Sequence, residues 1–255
     1  QGTALDTSYL SPFNATQILP RLGLSKSVGE SWNVFGQFSS GFSDPTNFES
    51  LATDVQGALP SVLDAEKAWT MEVGARHPLG EVVFYRQQVS NAIVSSVDTA
   101  GVTGFSNTSS NVVMQGVEAT LSKTWGGHRL SASGAAQFHR WDLGDLPGSP
   151  RWMLNVQHGW KVWDKAHAFT LGSWIRAVGA TPLNDEGTST HPAYATANLN
   201  VDWTPPSAPV HLSAGVRNAT NTSYSGWHQL NAFGGKYFNP APPRTWYLSA
   251  VWTLD

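Results

Sequence analysis

Polar and apolar residues alternate along most of this chain with a period of two, and helical spacing is hard to find. Between 190 and 204, Ala193, Ala195, Ala197, Leu199, Val201 and Trp203 fall on one face and Tyr194, Thr196, Asn198, Asn200 and Asp202 on the other. The same split sets Trp69, Met71, Val73 and Ala75 against Thr70, Glu72, Gly74 and Arg76. It recurs with Leu130, Ala132, Ala136 and Phe138, with Val210, Leu212, Ala214 and Val216, and with Trp246, Leu248, Ala250, Trp252 and Leu254. Roughly eleven strands follow, near 18–27, 31–42, 68–77, 80–96, 111–124, 128–141, 150–162, 167–181, 190–204, 209–217 and 244–254. Most hold about ten residues or more, enough for a tilted strand to cross a bilayer, whereas soluble strands average nearer five or six.

The connections alternate between tight and long. Tight ones lie at Ser27–Ser31, His77–Gly80, Trp125–His128, Trp163–Lys165 and Pro205–Ala208, and long ones at 43–66, 97–110, 142–149, 182–189 and 218–243. A transmembrane barrel has this rhythm, because its periplasmic turns are short and its extracellular loops long. Tryptophans cluster at strand ends: Trp32, Trp125, Trp160, Trp163, Trp203 and Trp252 near tight turns or the terminus, Trp69, Trp141, Trp152 and Trp246 near long loops. Two such girdles suit indole rings at two membrane interfaces, whereas Trp residues filling a soluble core need not sit at strand ends. The expected fold is therefore an all-β antiparallel transmembrane barrel.

Composition narrows the function. With 255 residues, 12 Trp, 24 Gly and only 13% charged residues, the chain suits strands, turns and an interface. A net charge of −3 with scattered Lys and Arg leaves no footprint for nucleic acid. Cysteine is absent, so disulfides and thiolate metal sites are excluded. No apolar run approaches the ~20 residues of a membrane helix. Gln1 to Tyr9 carry no signal-peptide pattern, so either a signal was cleaved or the chain begins within a longer protein.

Catalytic motifs are missing too: there is no G-x-S-x-G, H-E-x-x-H, P-loop or G-x-G-x-x-G, which points away from an enzyme. The eight His show no metal-ligand spacing, and no cofactor is expected. Glu72, Glu118 and Arg217 stand on polar strand faces; they are either solvated wall residues or a lumen-facing ion-pair network that anchors a plug. Phe48, Phe105, Trp227, His228 and Tyr237 lie in long loops and are candidate ligand contacts.

Several stretches are familiar in order. Ile18-Leu19-Pro20-Arg21-Leu22-Gly23-Leu24 with Ser40-Gly41-Phe42-Ser43-Asp44-Pro45 resembles paired strands of TonB-dependent receptors, as do Glu66 and Met71-Glu72-Val73-Gly74. Asn91-Ala92-Ile93-Val94, Phe105-Ser106-Asn107 and Gln115-Gly116-Val117-Glu118 are similar to that family's Asn-x-Ile, Tyr-x-Asn and Gly-x-Glu landmarks. The close, Asn218-Ala219-Thr220-Asn221-Thr222-Ser223-Tyr224 and then Pro240-Ala241-Pro242-Pro243-Arg244, resembles its Asn-x-x-Asn-x-x-Tyr and Pro-x-Pro-Arg ending, especially in ferric-siderophore-type members.

The resemblance runs from about residue 18 onward. It implies a Gram-negative outer-membrane receptor whose barrel has about 22 strands and a plugged lumen. Residues 1–255 would be the C-terminal part of that barrel, without plug or TonB box. The implied partners are outer-membrane lipid, an iron complex such as a siderophore or a similar nutrient, and the TonB complex through a region outside this chain. Two other readings stay open: a self-contained small barrel acting as porin or outer-membrane enzyme, with residues 3–10 as a twelfth strand, and a soluble all-β binding module whose apolar faces meet in a sandwich.

Overall fold

The computed structural model describes residues 17–51, 63–97, 103–141, 144–163, 168–185, 187–205 and 208–253. Eleven strands make one sheet: β1 Arg21–Val28, β2 Trp32–Ser43, β3 Glu66–His77, β4 Gly80–Ser90, β5 Val112–Trp125, β6 His128–Arg140, β7 Trp152–Trp163, β8 Ala168–Val178, β9 Tyr194–Thr204, β10 Val210–Arg217 and β11 Thr245–Trp252. Each strand pairs with its neighbours in the chain, so the sheet is a meander in sequence order. The chain divides into two compact units, one of Gln1–Leu24, Gly36–Glu72 and Arg86–Val113, the other of Ser25–Phe35, Val73–Tyr85 and Met114–Asp255.

Within the second unit the pairing registers fix what each face carries, because residues directly opposite in an antiparallel pair point the same way. One row runs Leu130, His158, Ser173, Leu199, Val216, Trp246, and the next His128, Trp160, Leu171, Val201, Ala214, Leu248. The opposite face carries Arg129, Gly159, Gly172, Asn200, Gly215 and Tyr247 in one row. A neighbouring row carries Lys161, Thr170, Asp202, Ser213 and Ser249.

The apolar face is the uncovered one: Leu199 is 50%, Trp246 75% and Leu248 80% exposed. Water-soluble proteins rarely leave so wide an apolar patch bare, and the strands lie in a single sheet, so the sandwich reading fails. Glycines on the polar face let strands and side chains approach closely. A Cβ at Gly172 would collide with the Asn200 carboxamide, and one at Gly215 would stand 2.8 Å from the Tyr247 hydroxyl oxygen.

One expected strand is shorter than its pattern. The apolar run over 80–96 predicts a single strand, but β4 stops at Ser90, and Ile93–Val97 pairs instead with Thr103–Asn107 as a separate hairpin. The break is conformational. Asn91 adopts φ 57°, a left-handed conformation that Asn tolerates and that departs from the extended backbone of a ladder. The apolar pattern resumes at Ile93 with no sign of this, so periodicity alone merges the two segments.

Candidate functional site

The loop residues singled out in the sequence gather into two clusters, one in each unit. In the first unit a single helical turn, Asn47–Leu51, starts with a reciprocal cap: Glu49 Oε2 accepts from Thr46 N at 2.7 Å, and Thr46 Oγ1 accepts from Glu49 N at 3.2 Å. That turn holds Phe48 edge-on to Phe105, with ring centroids 5.6 Å apart, and leaves Phe48 70% exposed.

Two residues beyond Phe105, Asn107 ties its own strand to the segments at Asp64 and Asn91. Its Nδ2 donates to the carbonyls of Asp64 at 2.9 Å and Asn91 at 2.7 Å, and its Oδ1 accepts from Asp64 N at 2.8 Å. Glu66 Oε1 accepts from Ile93 N at 2.8 Å. The landmarks Glu66, Asn91 and Asn107 are thus one hydrogen-bonded loop base.

In the second unit the connections over 144–150, 181–191 and 218–243 share a small core of their own. Leu183 is fully buried there, Gly148 N donates to the Pro182 carbonyl at 2.8 Å, and Asn231 N donates to the Leu183 carbonyl at 2.9 Å. Ser225–His228 pairs with Phe238–Pro240. Trp227 and Phe238 remain exposed, and Tyr237 lies 6.3 Å from Phe238, centroid to centroid.

Behind them His191, only 4% exposed, accepts from Ser225 N through Nε2 at 3.1 Å, and its ring lies 4.6 Å from that of His228. Accepting through Nε2 places the neutral His191 proton on Nδ1. His191 Nδ1 and His228 Nε2 are buried without partners among the described residues. His191 and Phe238 escape sequence reasoning. Each is a lone side chain in a loop, and only the folded connections bring them beside His228.

Burial, and next the neighbouring His191 ring, hold the His228 imidazole below the ordinary histidine pKa of 6.5. An opened loop takes up a proton more readily than the closed one, so closure is strongest above pH 6.5 and weakens as pH falls below it. Backbone hydrogen exchange across 218–243, corrected for its intrinsic rate, should therefore be faster at pH 5 than at pH 7. His228→Asn should flatten the difference; equal protection at both pH values in the unaltered protein would contradict this.

Among the described residues, Glu72, Glu118 and Arg217 form no ion pair with one another. Glu72 Oε2 accepts from Gln37 Nε2 at 2.5 Å. Glu118 borders a shallow groove with Thr120, Ser133, Met153 and Asn155. The Arg217 guanidinium lies over the Tyr247 ring, 5.3 Å from its centroid. Ion pairs among the described residues lie elsewhere, at Arg76–Glu81, Arg151–Asp145 and His211–Asp202. A larger groove of about 520 Å³ on the polar face is bordered by Arg129, Gln157, Trp174 and Asn200 around Gly159 and Gly172.

Among the described residues no group of three or more His, Asp or Glu side chains is placed to hold a metal ion. The two loop clusters offer aromatic faces and hydrogen-bonding groups, the equipment of recognition.

A protein-family model described as TonB dependent receptor-like, beta-barrel, matches residues 2–219. Solved structures share the fold at low identity. The ferric yersiniabactin uptake receptor FyuA from Yersinia pestis has a TM-score of 0.72 and 16% identity, covering 92% of this chain and 37% of that one. The ferripyoverdine receptor of the Pseudomonas aeruginosa outer membrane has a TM-score of 0.71 and 15% identity, with 92% and 32% covered. The copper transporter OprC has a TM-score of 0.72 and 18% identity, with 90% and 38% covered. The chain therefore spans between 32% and 38% of the length of these structures.

Proposed function

This chain belongs to the TonB-dependent receptor β-barrel family, and from that premise we propose that it is the C-terminal part of the barrel of an outer-membrane receptor that gathers and admits a nutrient. The family is one of receptors and transporters found in the outer membrane of Gram-negative bacteria. An iron complex of the siderophore kind is the proposed cargo, supported by the iron-complex receptors among the similar structures, with copper as the competing cargo suggested by OprC.

The observation that carries the reading is the face segregation pinned by register. Rows chiefly of Leu, Val, Ala and Trp, broken only by His128, His158 and Ser173, run across six consecutive strands on one side, and Arg, Lys, Asn, Asp, Ser, Thr and Gly with Tyr247 run across the same strands on the other. A lipid-facing wall around an aqueous lumen requires this division. The meander adds a second support. Strands β1 and β11 stand at the ends of the order, and since eleven is odd they run in the same direction. Closing one on the other would need a parallel pair, which antiparallel barrels avoid; an odd number of further strands completes the wall with antiparallel pairs. Around eleven would bring it to the roughly 22 of plugged transporters.

In this reading the loop clusters around Phe48–Phe105 and Trp227–Phe238 face the outside and contact ligand. Glu72, Glu118 and Arg217 face the lumen, and energy arrives from the TonB complex through another part of the receptor. The test is uptake by cells expressing the full-length receptor as their sole transporter, with radiolabelled iron delivered on a panel of siderophores and labelled copper in parallel. Uptake of iron from one or more siderophores, abolished when the TonB complex is deleted, is the expected result. Copper uptake alone would move the cargo from iron to copper, and uptake of neither would overturn the reading.

A further inference from the structure

We propose that the apolar face of the wall, near the tight turns, holds one phospholipid by its phosphate through His128, His158 and Lys123. The inference rests on the reading that this face meets the membrane. Its starting point is an anomaly of residue type. The exposed face of β5 to β8 is built of side chains such as Leu121, Leu130, Val156 and Leu171, yet two imidazoles and an ammonium stand among them.

His128 lies opposite Trp160 and Leu130 opposite His158, so the two histidines are diagonal neighbours on one face. Their Nδ1 and Nε2 atoms are 3.1 Å apart, with ring planes 16° apart and centroids 5.3 Å apart. Such spacing means that the rings meet edge to edge with one proton held between the nitrogens. With both rings neutral, the ring that accepts this proton carries its own proton on its outer nitrogen and can donate it to a further acceptor, while the other outer nitrogen is an acceptor. Trp125 and Trp160 flank His128 in near-parallel stacks at 5.5 and 5.2 Å, and Lys123 Nζ is 5.9 Å from the Trp125 ring.

Among the described residues, the face of β5 to β8 that carries this cluster presents no Asp or Glu. Glu118 follows the opposite strand parity to Lys123 and Trp125, on the polar side. The cluster is thus an imidazole donor beside the Lys123 cation with no anion of its own, set in a surface where uncompensated charge is costly. A phosphate diester supplies both the charge and the acceptor oxygens. A free phosphate ion would gain nothing from the flanking Leu121, Leu130 and Leu171, whereas a phospholipid matches its headgroup to the imidazoles and its acyl chains to the leucines. Tryptophans that mark the interface place the site at headgroup depth.

The test uses the full-length receptor carrying this sequence, purified in mild detergent, and counts retained phosphatidylglycerol by native mass spectrometry. The unaltered receptor should retain one such lipid at concentrations where His128→Gln/His158→Gln, and separately Lys123→Gln, retain about tenfold less, the equivalent of one lost charge-assisted contact. Lys161→Gln, on the polar face, should match the unaltered receptor. Heat-modifiable gel mobility confirms that each variant is assembled.

Equal retention by the unaltered and double-variant proteins overturns the site, as does displacement of the lipid by inorganic phosphate at matched phosphorus concentration. A separate arm addresses the reading beneath it. Brominated phosphatidylcholine in a bilayer should quench fluorescence that Trp125→Phe removes. Quenching without a histidine effect on lipid retention rejects the phosphate site and keeps the membrane face; absence of quenching rejects both.

Discussion

Leu199→Arg is expected to destabilise the assembled wall by about 2–4 kcal/mol, and Asn200→Arg, one residue further on, by less than about 1 kcal/mol. Leu199 sits near the middle of β9, opposite Ser173 on one neighbour and Val216 on the other, in the row that ends at Trp246. It is half exposed, and the medium it meets in a barrel is hydrocarbon. Arginine there must leave its charge in lipid or pull the strand toward the interface. Asn200 points to the polar side, donates to Asp202 at 2.5 Å and occupies the space left by Gly172. Arginine at that position reaches the aqueous side beside a carboxylate, losing one hydrogen bond and gaining an ion pair. Urea unfolding of the full-length receptor in lipid vesicles separates the two variants. Equal losses would mean that the faces are wrongly assigned.

Asn218→Ala is expected to cost on the order of 3 kcal/mol and to free the 218–243 connection from its base. The residue is 4% exposed and has φ 49°. Its Oδ1 accepts from Thr222 N at 2.9 Å and Thr220 Oγ1 at 3.2 Å, its Nδ2 donates to the Thr222 carbonyl at 2.8 Å, and its own backbone N donates to Asn198 Oδ1 at 2.8 Å. Alanine removes the carboxamide, leaves half-buried backbone groups at Thr222 without these partners, and keeps a left-handed conformation that its Cβ disfavours by about 1–2 kcal/mol. Asn218→Gly relieves the last of these and should lose correspondingly less. Hydrogen exchange of residues 219–243 reads the effect. Unchanged protection in Asn218→Ala would show that the loop is held by its aromatic contacts and not by this residue.

That prediction also explains why the sequence motifs were informative. Asn218 and Asn221 both take positive φ, and Asn221 Oδ1 accepts from Arg244 N at 3.0 Å, which ties the Asn-x-x-Asn-x-x-Tyr stretch to the Pro-x-Pro-Arg stretch. Tyr224 completes it by stacking on Tyr194 at 4.7 Å. Like Glu66, Asn91 and Asn107, these are clasps at loop bases, where short polar side chains replace backbone ladders that have ended.

The strands were legible because one face of each is apolar and the period of two leaves little freedom of register. β9, expected over 190–204, begins at Tyr194, since Thr190 and His191 pair with Thr181 and Pro182 instead. The interior of the loops was not legible. Leu183, His191 and Phe238 come together through contacts between connections distant in the chain, and no local pattern marks them.

The central claim, that this chain is barrel wall with its long connections outside the cell and its tight turns in the periplasm, meets its most direct test in whole-cell labelling. Lys236 lies exposed in the 218–243 connection, and Glu30 lies exposed in the turn between β1 and β2. Cysteine is absent from the chain, so Lys236→Cys and Glu30→Cys each introduce the first thiol of this region into the full-length receptor. A bulky membrane-impermeant maleimide should label the first on intact cells, and the second only after the outer membrane is permeabilised. Labelling of Glu30→Cys on intact cells, with Lys236→Cys protected until permeabilisation, would contradict the account.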